Sequence, residues 1–177
     1  MKKLYKQVQL QNINYNDFDK LHKLMCKIYP SEYNDFWLDD CSWYINNQYS
    51  KKNIGKELQE ENQLYYFVTF ENKTIGILRL LINKPPKNTS EKYMKLHRIY
   101  LDNKYHNLGL GTIVLNKVTA LAKRNNCTKI WLEAMEKKPL AINFYQKNGF
   151  KKIDEYLYEF SLLKKEYQKM IAFCKEL

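Results

Sequence analysis

The stretch YHNLGLGTIVLNKV, residues 105–118, holds the pattern that decides the fold. Gly109 and Gly111 lie one residue apart in a chain that has only 5 glycines, and an apolar run follows them directly. The segment KLHRIYL, residues 95–101, comes just before and is predicted to be a strand. We therefore expect a strand, a glycine-containing turn and a helix over about 110–125, in that order.

Such a turn is suited to binding an anion. The first four N–H groups of a helix lack partners and carry partial positive charge, and glycine lets a bulky anion approach the backbone. The third glycine of a Rossmann turn is absent, since residue 114 is Val, and the P-loop pattern is absent too. Taken alone, the two glycines leave two interpretations open: a pyrophosphate cradle, or a tight turn in which glycine serves only sterics.

Strands and helices mix along the remainder of the chain. Apolar periodicity predicts a strand over 4–10, a helix capped by Asn16 or Asp17 and ended by Pro30, and a partly helical segment over 31–52. It also predicts a hairpin of strands 64–70 and 74–82, a strand over 129–135, a helix from Pro139 with Gly149 at its end, and a strand over 151–160. The tail fits a helix or a strand. This mixture predicts one α/β domain spanning residues 1–177.

Bulk properties narrow the class of protein. A length of 177 residues fits one domain with a core, and no segment approaches the ~20 apolar residues of a membrane span or forms a signal peptide. The four cysteines are far apart, which favours reduced thiols in the cytoplasm, and the three histidines lack ligand spacing, so no metal is expected. The net charge of +11 has two open interpretations: an anionic partner, or a solvated lysine-rich surface.

The order RIYLDNKYHNLGLGTIVLNKV, KIWLEAM and PLAINFYQKNGF resembles the core of the GNAT family of N-acetyltransferases. The family's [Q/R]-x-x-G-x-[G/A] pattern corresponds to His106–Gly111, with His in place of Gln or Arg. Its A-x-x-x-Y-x-x-x-G-F pattern corresponds to Ala141, Tyr145, Gly149 and Phe150. The resemblance covers residues 95–150 and looks most like bacterial spermidine/spermine N-acetyltransferases.

This resemblance implies a fold and an activity. The fold would be a mixed, mostly antiparallel sheet of about six or seven strands with splayed central strands, flanked by about four helices, and the tail would be a strand over 168–175. The activity would be direct transfer of the acetyl group of acetyl-CoA to an amine, with a polyamine such as spermidine or spermine as one acceptor. Homodimers are common in the family.

The resemblance also assigns site residues. Tyr145 would be the acid that protonates the leaving thiolate, and the residues themselves offer Glu133 as a candidate base, although a solvated strand residue is the other interpretation. Lys147 could reach a phosphate of the coenzyme or lie in solvent. The expected coenzyme-binding residues are Ile99, Tyr100, Leu101, His106, Asn107, Leu108, Gly109, Leu110, Gly111, Thr112 and Lys147.

The acceptor is left open by the sequence. An acidic cluster of Glu32, Asp35, Asp39 and Asp40 beside aromatic residues would suit a polycation, and the loop over 83–92 would lie nearby; an acid-rich helix start is the alternative. Other amines, such as a protein N-terminus, a lysine, an aminoglycoside or an amino acid, remain alternatives. A nucleic-acid-binding module is disfavoured because the lysines are dispersed, and a sensor that only binds acetyl-CoA is a third hypothesis.

Overall fold

A seven-stranded sheet organises the computed structural model, which describes residues 7–87 and 89–177. The strand order is β1-β2-β3-β4-β5-β7-β6, and all neighbours are antiparallel except β4 and β5. The strands are β1 (Val8–Asn12), β2 (Gln63–Phe70), β3 (Lys73–Ile82), β4 (Tyr93–Leu101), β5 (Lys129–Met135), β6 (Lys151–Leu157) and β7 (Lys169–Glu176). The predicted mixed sheet with a C-terminal strand is confirmed.

Helices cover both faces of this sheet. They are α1 (Phe18–Ile28), α2 (Pro30–Tyr33), α3 (Ser42–Gln48), α4 (Lys51–Gln59), α5 (Leu110–Arg124) and α6 (Pro139–Lys147). The region between α1 and β2 is thus divided into three short helices, where the sequence indicated only partial helix. Within the described residues, no helix has both the length and the apolar composition for crossing a bilayer.

The two faces bury different side chains. The face covered by α5 and α6 is mostly aliphatic, with Leu110, Val114 and Val118 of α5 packed on Leu96 and Leu132 of the sheet. The face covered by α1 to α4 is rich in rings. Its buried aromatic residues are Tyr29, Phe36, Trp37, Tyr49, Tyr65 and Phe67. We call these the aliphatic face and the aromatic face.

The hairpin of β2 and β3 closes on a two-residue turn. Glu71 and Asn72 have φ angles of 49° and 61°, the left-handed pair that matches the twist of antiparallel strands. The predicted hairpin is therefore confirmed, and it supports the central strand β4 along nearly its whole length.

Strands β4 and β5 pair over only three residue pairs. Tyr93, Met94 and Lys95 lie opposite Lys129, Ile130 and Trp131, and beyond these pairs the two strands diverge. The backbone of β4 from Leu96 onward therefore has no strand partner on its β5 side. This is the expected splay of the central strands.

A β-bulge interrupts the alternation of β4. The register with β3 shifts so that Arg79 lies opposite Arg98 and Leu80 opposite Leu96, which leaves His97 as the extra residue. Leu96 and Ile99 both pack on the aliphatic face, whereas the polar side chains at 97 and 98 are directed to the aromatic face. The bulge therefore places two consecutive polar residues on one side of the sheet.

Some local predictions needed correction. β1 extends over Val8–Asn12, two residues beyond the predicted end, and residues 4–6 of the prediction lie outside the described residues. Asp17 occupies the N-cap of α1 without a side-chain capping bond; Asn14 instead caps the preceding 3-10 turn, reciprocally with Asp17. α1 ends at Ile28, just before Pro30 as predicted, and Pro30 then starts α2, because proline suits the first turn of a helix.

Candidate active site

The turn before α5 lies on the surface, and Gly109 gives it its shape. Asn107 and Gly109 have φ angles of 60° and 76°, and His106 through Gly109 are exposed. A Cβ on Gly109 would meet no atom within 4 Å, so conformation rather than crowding requires glycine there. The amides of the first turn of α5, from Leu110 to Thr112, point out of the helix start without intrahelical partners.

Gly111 has a different role. A Cβ at this position would lie 3.0 Å from Cζ of Phe144, so the missing side chain lets α5 approach α6 closely. Each glycine thus has a structural role: one shapes the turn, and the other allows two helices to pack. The pyrophosphate cradle stays a prediction.

His106 is folded back over the end of β4. Its Nε2 lies 3.3 Å from the carbonyl oxygen of Leu101, and its Nδ1 lies 4.0 Å from Oε1 of Glu32. The side chains of Asn107 and Thr112 are exposed at the turn, and Lys147 is exposed in the last turn of α6. The turn's backbone is thus open to a ligand, while the His106 ring is occupied by the protein.

A cavity of about 210 Å³ passes through the gap between β4 and β5. Ile99 and Tyr145 line it from the aliphatic face, and Tyr29, Tyr33 and Trp37 line it from the aromatic face. Tyr100 also lines it, and with the main chain of Ile99 it forms the unpaired edge of β4. The described residues of the loop over 83–92 do not contribute; the segment after β6 does, through Tyr158, Phe160 and Leu163.

Tyr145 projects from α6 into this gap. Its ring is buried against Phe150 and Phe173, and burial raises the pKa of its phenol to about 12. Burial, followed by the nearby Tyr145 phenol, raises the pKa of Tyr33 on the other side of the cavity. Tyr145 therefore lines the gap, and its role as an acid stays a prediction.

Glu133 lines the cavity but is already engaged. Its Oε2 lies 2.7 Å from Nζ of Lys95, and its Oε1 accepts a hydrogen bond from the Tyr156 hydroxyl. Burial and this carboxylate together raise the pKa of Tyr156. Glu133 is thus held as a partnered carboxylate, not as a freely solvated one.

The acidic cluster predicted for the acceptor does not line the cavity in the described structure. The Glu32 carboxylate is paired with Nζ of Lys138, and one Asp39 oxygen accepts the amide of Trp43 at 2.6 Å. Asp40 accepts a hydrogen bond from Asn34 at 3.4 Å. Glu32 lies in the first turn of α2, and Asp39 accepts an amide at the start of α3, which agrees with the alternative of acid-rich helix starts.

Three polar residues of the cavity were missed by the sequence. Gln48, His97 and Arg98 line it on the aromatic face, where Arg98 donates to Glu57 at 2.7 Å and to Gln48 at 2.9 Å. The adjacent polar pair at 97 and 98, within an otherwise apolar strand, was the available signal of a bulge. Nothing local indicated which helices would lie against it.

Comparisons with known proteins agree with this geometry. The profile of the Acetyltransferase (GNAT) family matches residues 19–150. An uncharacterised N-acetyltransferase of Lactobacillus delbrueckii subsp. lactis is 20% identical over 121 residues, which are 68% of this chain and 70% of that protein. One of Mycobacterium bovis is 33% identical over 108 residues, which are 61% of this chain and 65% of that protein.

Solved structures show the same fold. The PaiA N-acetyltransferase of Thermoplasma acidophilum, in complex with coenzyme A, superposes with a TM-score of 0.74 at 18% identity, covering 97% of this chain and 99% of that one. A chimera of the spermidine N-acetyltransferase SpeG of Vibrio cholerae with hSSAT superposes with a TM-score of 0.70 at 15% identity, covering 96% of this chain and 95% of that one. The seven-stranded splayed sheet is thus shared with these acetyltransferase structures. The chain belongs to the acetyltransferase (GNAT) family.

Proposed function

We propose that this enzyme transfers the acetyl group of acetyl-CoA directly to a primary amine bound on the aromatic face. The observation that carries the proposal is the single cavity through the gap in the sheet. It joins the unpaired edge of β4 and Tyr145 to the chamber of aromatic rings on the other side. Two substrates approaching from opposite faces would meet within it.

The coenzyme side fits acetyl-CoA. The exposed turn at Gly109 presents the free amides of Leu110, Gly111 and Thr112, a site suited to a diphosphate. The open edge of β4 from Ile99 to Leu101 offers backbone groups to the amide-containing arm of the coenzyme. Acetyl-CoA, when bound, supplies a thioester whose carbonyl carbon accepts the amine and whose sulfur leaves.

The chain would stabilise the charge that develops on the thioester oxygen. A backbone N–H on the open edge of β4 near Ile99 is a preorganised donor, and one such donor typically contributes about 2.7–4 kcal/mol to the transition state. The buried rings around it exclude water and strengthen this bond.

Tyr145 would hold a proton at the leaving sulfur. With a pKa of about 12 its phenol stays protonated at neutral pH. As the C–S bond breaks, the phenol donates its proton to the sulfur, and the proton that the amine loses then restores the phenol. A tyrosinate would not accumulate, because the pKa of the phenol lies above the pKa of a thiol, which is about 8.5.

Glu133 is the proposed acceptor of the amine proton, directly or through a water molecule. It is the carboxylate of the described residues that lines the cavity, and Lys95 at 2.7 Å holds it in place. The amine must be neutral to attack, so a nearby carboxylate that takes its proton would raise the rate.

A polyamine such as spermidine is one acceptor to test. The fold likeness to SpeG and the aromatic lining, which can hold a cation over its rings, support this choice. An acceptor screen should compare spermidine and spermine with N-terminal peptides, aminoglycosides and amino acids, with free thiol release as the readout. If no amine raises thiol release, the transferase proposal is wrong.

The coenzyme side can be tested by itself. Gly109→Ala forces a side chain into a left-handed turn, which costs about 1–2 kcal/mol. If the turn binds the diphosphate, calorimetry should show acetyl-CoA binding about 10-fold weaker than in wild type. Gly109→Asn is the matched control, because asparagine tolerates this conformation, and it should retain most of the affinity. Equal affinities for Gly109→Ala and wild type would contradict the cradle.

A further inference from the structure

The floor of the cavity on the aromatic face is polar. The bulge in β4 directs both His97 and Arg98 to this face, and Gln48 at the end of α3 meets them there. None of these side chains has a role in the acyl transfer proposed above. Their orientation is fixed by the groups behind them, so the atoms they present to the cavity can be deduced.

Arg98 fixes the orientation of Gln48. A guanidinium group only donates, so the atom of Gln48 that lies 2.9 Å from Arg98 is the amide oxygen. The Gln48 NH₂ group is then turned away from Arg98. Arg98 itself is anchored behind the cavity by Glu57, which also pairs with Arg79 at 3.4 Å. Gln48 therefore presents hydrogen-bond donors.

Arg79 fixes the tautomer of His97 in the same way. Its Nη1 donates to Nδ1 of His97 at 2.7 Å, so the ring proton is on Nε2. Burial, with Arg98, Arg79 and Lys95 around it, lowers the pKa of His97 to about 2. Nε2 has no hydrogen-bond partner among residues 7–87 and 89–177. His97 thus adds a neutral donor to the lining.

The charges of the lining match these donors. Among the described residues, its charged side chains are Arg98, Lys138 and Glu133. The two cations are paired with Glu32 and Glu57, and the carboxylate accepts from Tyr156 and pairs with Lys95, so the described lining leaves no unpaired carboxylate for a cation. A polyamine would bring further N–H donors and positive charge to this floor. The donors of Gln48 and His97 would then be left without acceptors, which is unfavourable for desolvated polar groups.

We propose that the acceptor is a primary amine that also carries a carboxylate, which the side chains of Gln48, His97 and Arg98 bind. This inference rests on the proposed acetyl transfer and names the substrate class of the same site. The carboxylate satisfies the donors, and the aromatic rings hold the rest of the molecule. Gln48 and His97 are then specificity residues, since neither takes part in breaking the thioester.

Amines matched with and without a carboxylate test the proposal in the wild-type enzyme. Suitable pairs are ornithine with 1,4-diaminobutane, and phenylalanine with 2-phenylethylamine. We expect the carboxylated member to have the higher kcat/KM by about 10²-fold in at least one pair, because a site built to bind an oxygen group rejects analogues that lack it. Equal rates within both pairs, or a preference for the decarboxylated members, would overturn the proposal.

Gln48→Glu sharpens the test. Glutamate still accepts from Arg98 but replaces the NH₂ donor with an anionic oxygen, so the preference for the carboxylated amine should fall at least 10-fold, with the loss mainly in KM. Gln11→Glu, on the exposed side of β1, is the matched control and should keep wild-type behaviour. An unchanged preference in folded Gln48→Glu contradicts the role of Gln48, and if this variant does not fold, the wild-type pairs decide.

Calorimetry with acetyl-CoA separates the two levels of failure. If the coenzyme binds and other amines are acetylated while neither pair shows the preference, the substrate class is wrong and the transferase stands. If the coenzyme does not bind and no amine is acetylated, both proposals fail together.

Discussion

The aliphatic and aromatic faces of the sheet divide the enzyme into two halves, which differ in whether backbone groups or side chains form the site. On the aliphatic face, the proposed coenzyme half is built from backbone: a left-handed turn, the start of α5 and an unpaired strand edge. On the aromatic face, the proposed acceptor half is built from side chains, with buried Arg79, Arg98 and Glu57 among aromatic rings. A backbone site tolerates many sequences around a few glycines, whereas a side-chain site depends on each partner.

The largest expected difference between the halves is in stability. Glu57 lies between Arg79 and Arg98, which face each other on adjacent strands and would repel without it. Glu57→Gln keeps the shape but leaves buried Arg98 without a carboxylate and Arg79 with only the half-exposed Glu60, so the free energy of unfolding should fall by about 3–5 kcal/mol. Urea denaturation measures this.

Two controls frame that result. Glu60→Gln removes a half-exposed partner of Arg79 and should cost less than about 1 kcal/mol. Leu115→Met, a volume-conserving change in the aliphatic face, should cost less than about 1.5 kcal/mol. If Glu57→Gln costs no more than these two, the buried charges are not what distinguishes the halves.

The next effect is on catalysis. Tyr145→Phe removes the phenol at the leaving sulfur, so kcat should fall by about 10²-fold while calorimetric affinity for acetyl-CoA stays unchanged. Because burial raises the pKa of Tyr145 to about 12, wild-type kcat should show no decline from this group between pH 7 and pH 10. Tyr66→Phe, outside the cavity, is the control. Full turnover by Tyr145→Phe would remove the proton-donor role.

The smallest effect is a pH dependence confined to the aromatic face. Unfolded histidine binds a proton below about pH 6.5, whereas folded His97, with its pKa lowered to about 2, does not. The unfolded state therefore binds more protons below pH 6.5, and stability falls as the pH falls. His97→Gln keeps an acceptor for Arg79. Between pH 8 and pH 5, the free energy of unfolding of this variant should fall by about 2 kcal/mol less than that of wild type.

Each protein is compared with itself at pH 8 by urea denaturation. Subtracting the stability at pH 8 removes any cost of the substitution that does not depend on pH. If the two proteins lose the same stability between pH 8 and pH 5, His97 does not exclude its proton in the folded state.

The coenzyme half was largely predictable because its signals are local. The bounds of β5, the glycine at the start of α5 and the left-handed Gly149 after α6 follow from residues a few positions apart. The C-terminal strand was ambiguous by periodicity alone, and the family resemblance decided it correctly. Tyr145 was found by motif, and its place in the cavity agrees with the assigned role, which stays a prediction.

The acceptor half was not predictable because its contacts are distant in the chain. Arg98 meets Glu57 across 41 positions and Gln48 across 50. The acidic cluster was assigned to a polycation because its residues are adjacent in sequence, yet Glu32 reaches Lys138 across 106 positions. Proximity that arises only on folding cannot be deduced from spacing.

The extra residue in β4 can be removed without changing how the strands pair. Deleting His97 would restore strict alternation and leave Leu96 opposite Leu80 and Arg98 opposite Arg79. Every residue that follows would keep its side of the sheet, because the bulge places two consecutive residues on the aromatic face. A residue inserted after Arg98 would instead exchange the sides of all residues that follow it. The gene should therefore tolerate the loss of this one codon far better than the gain of a codon beside it.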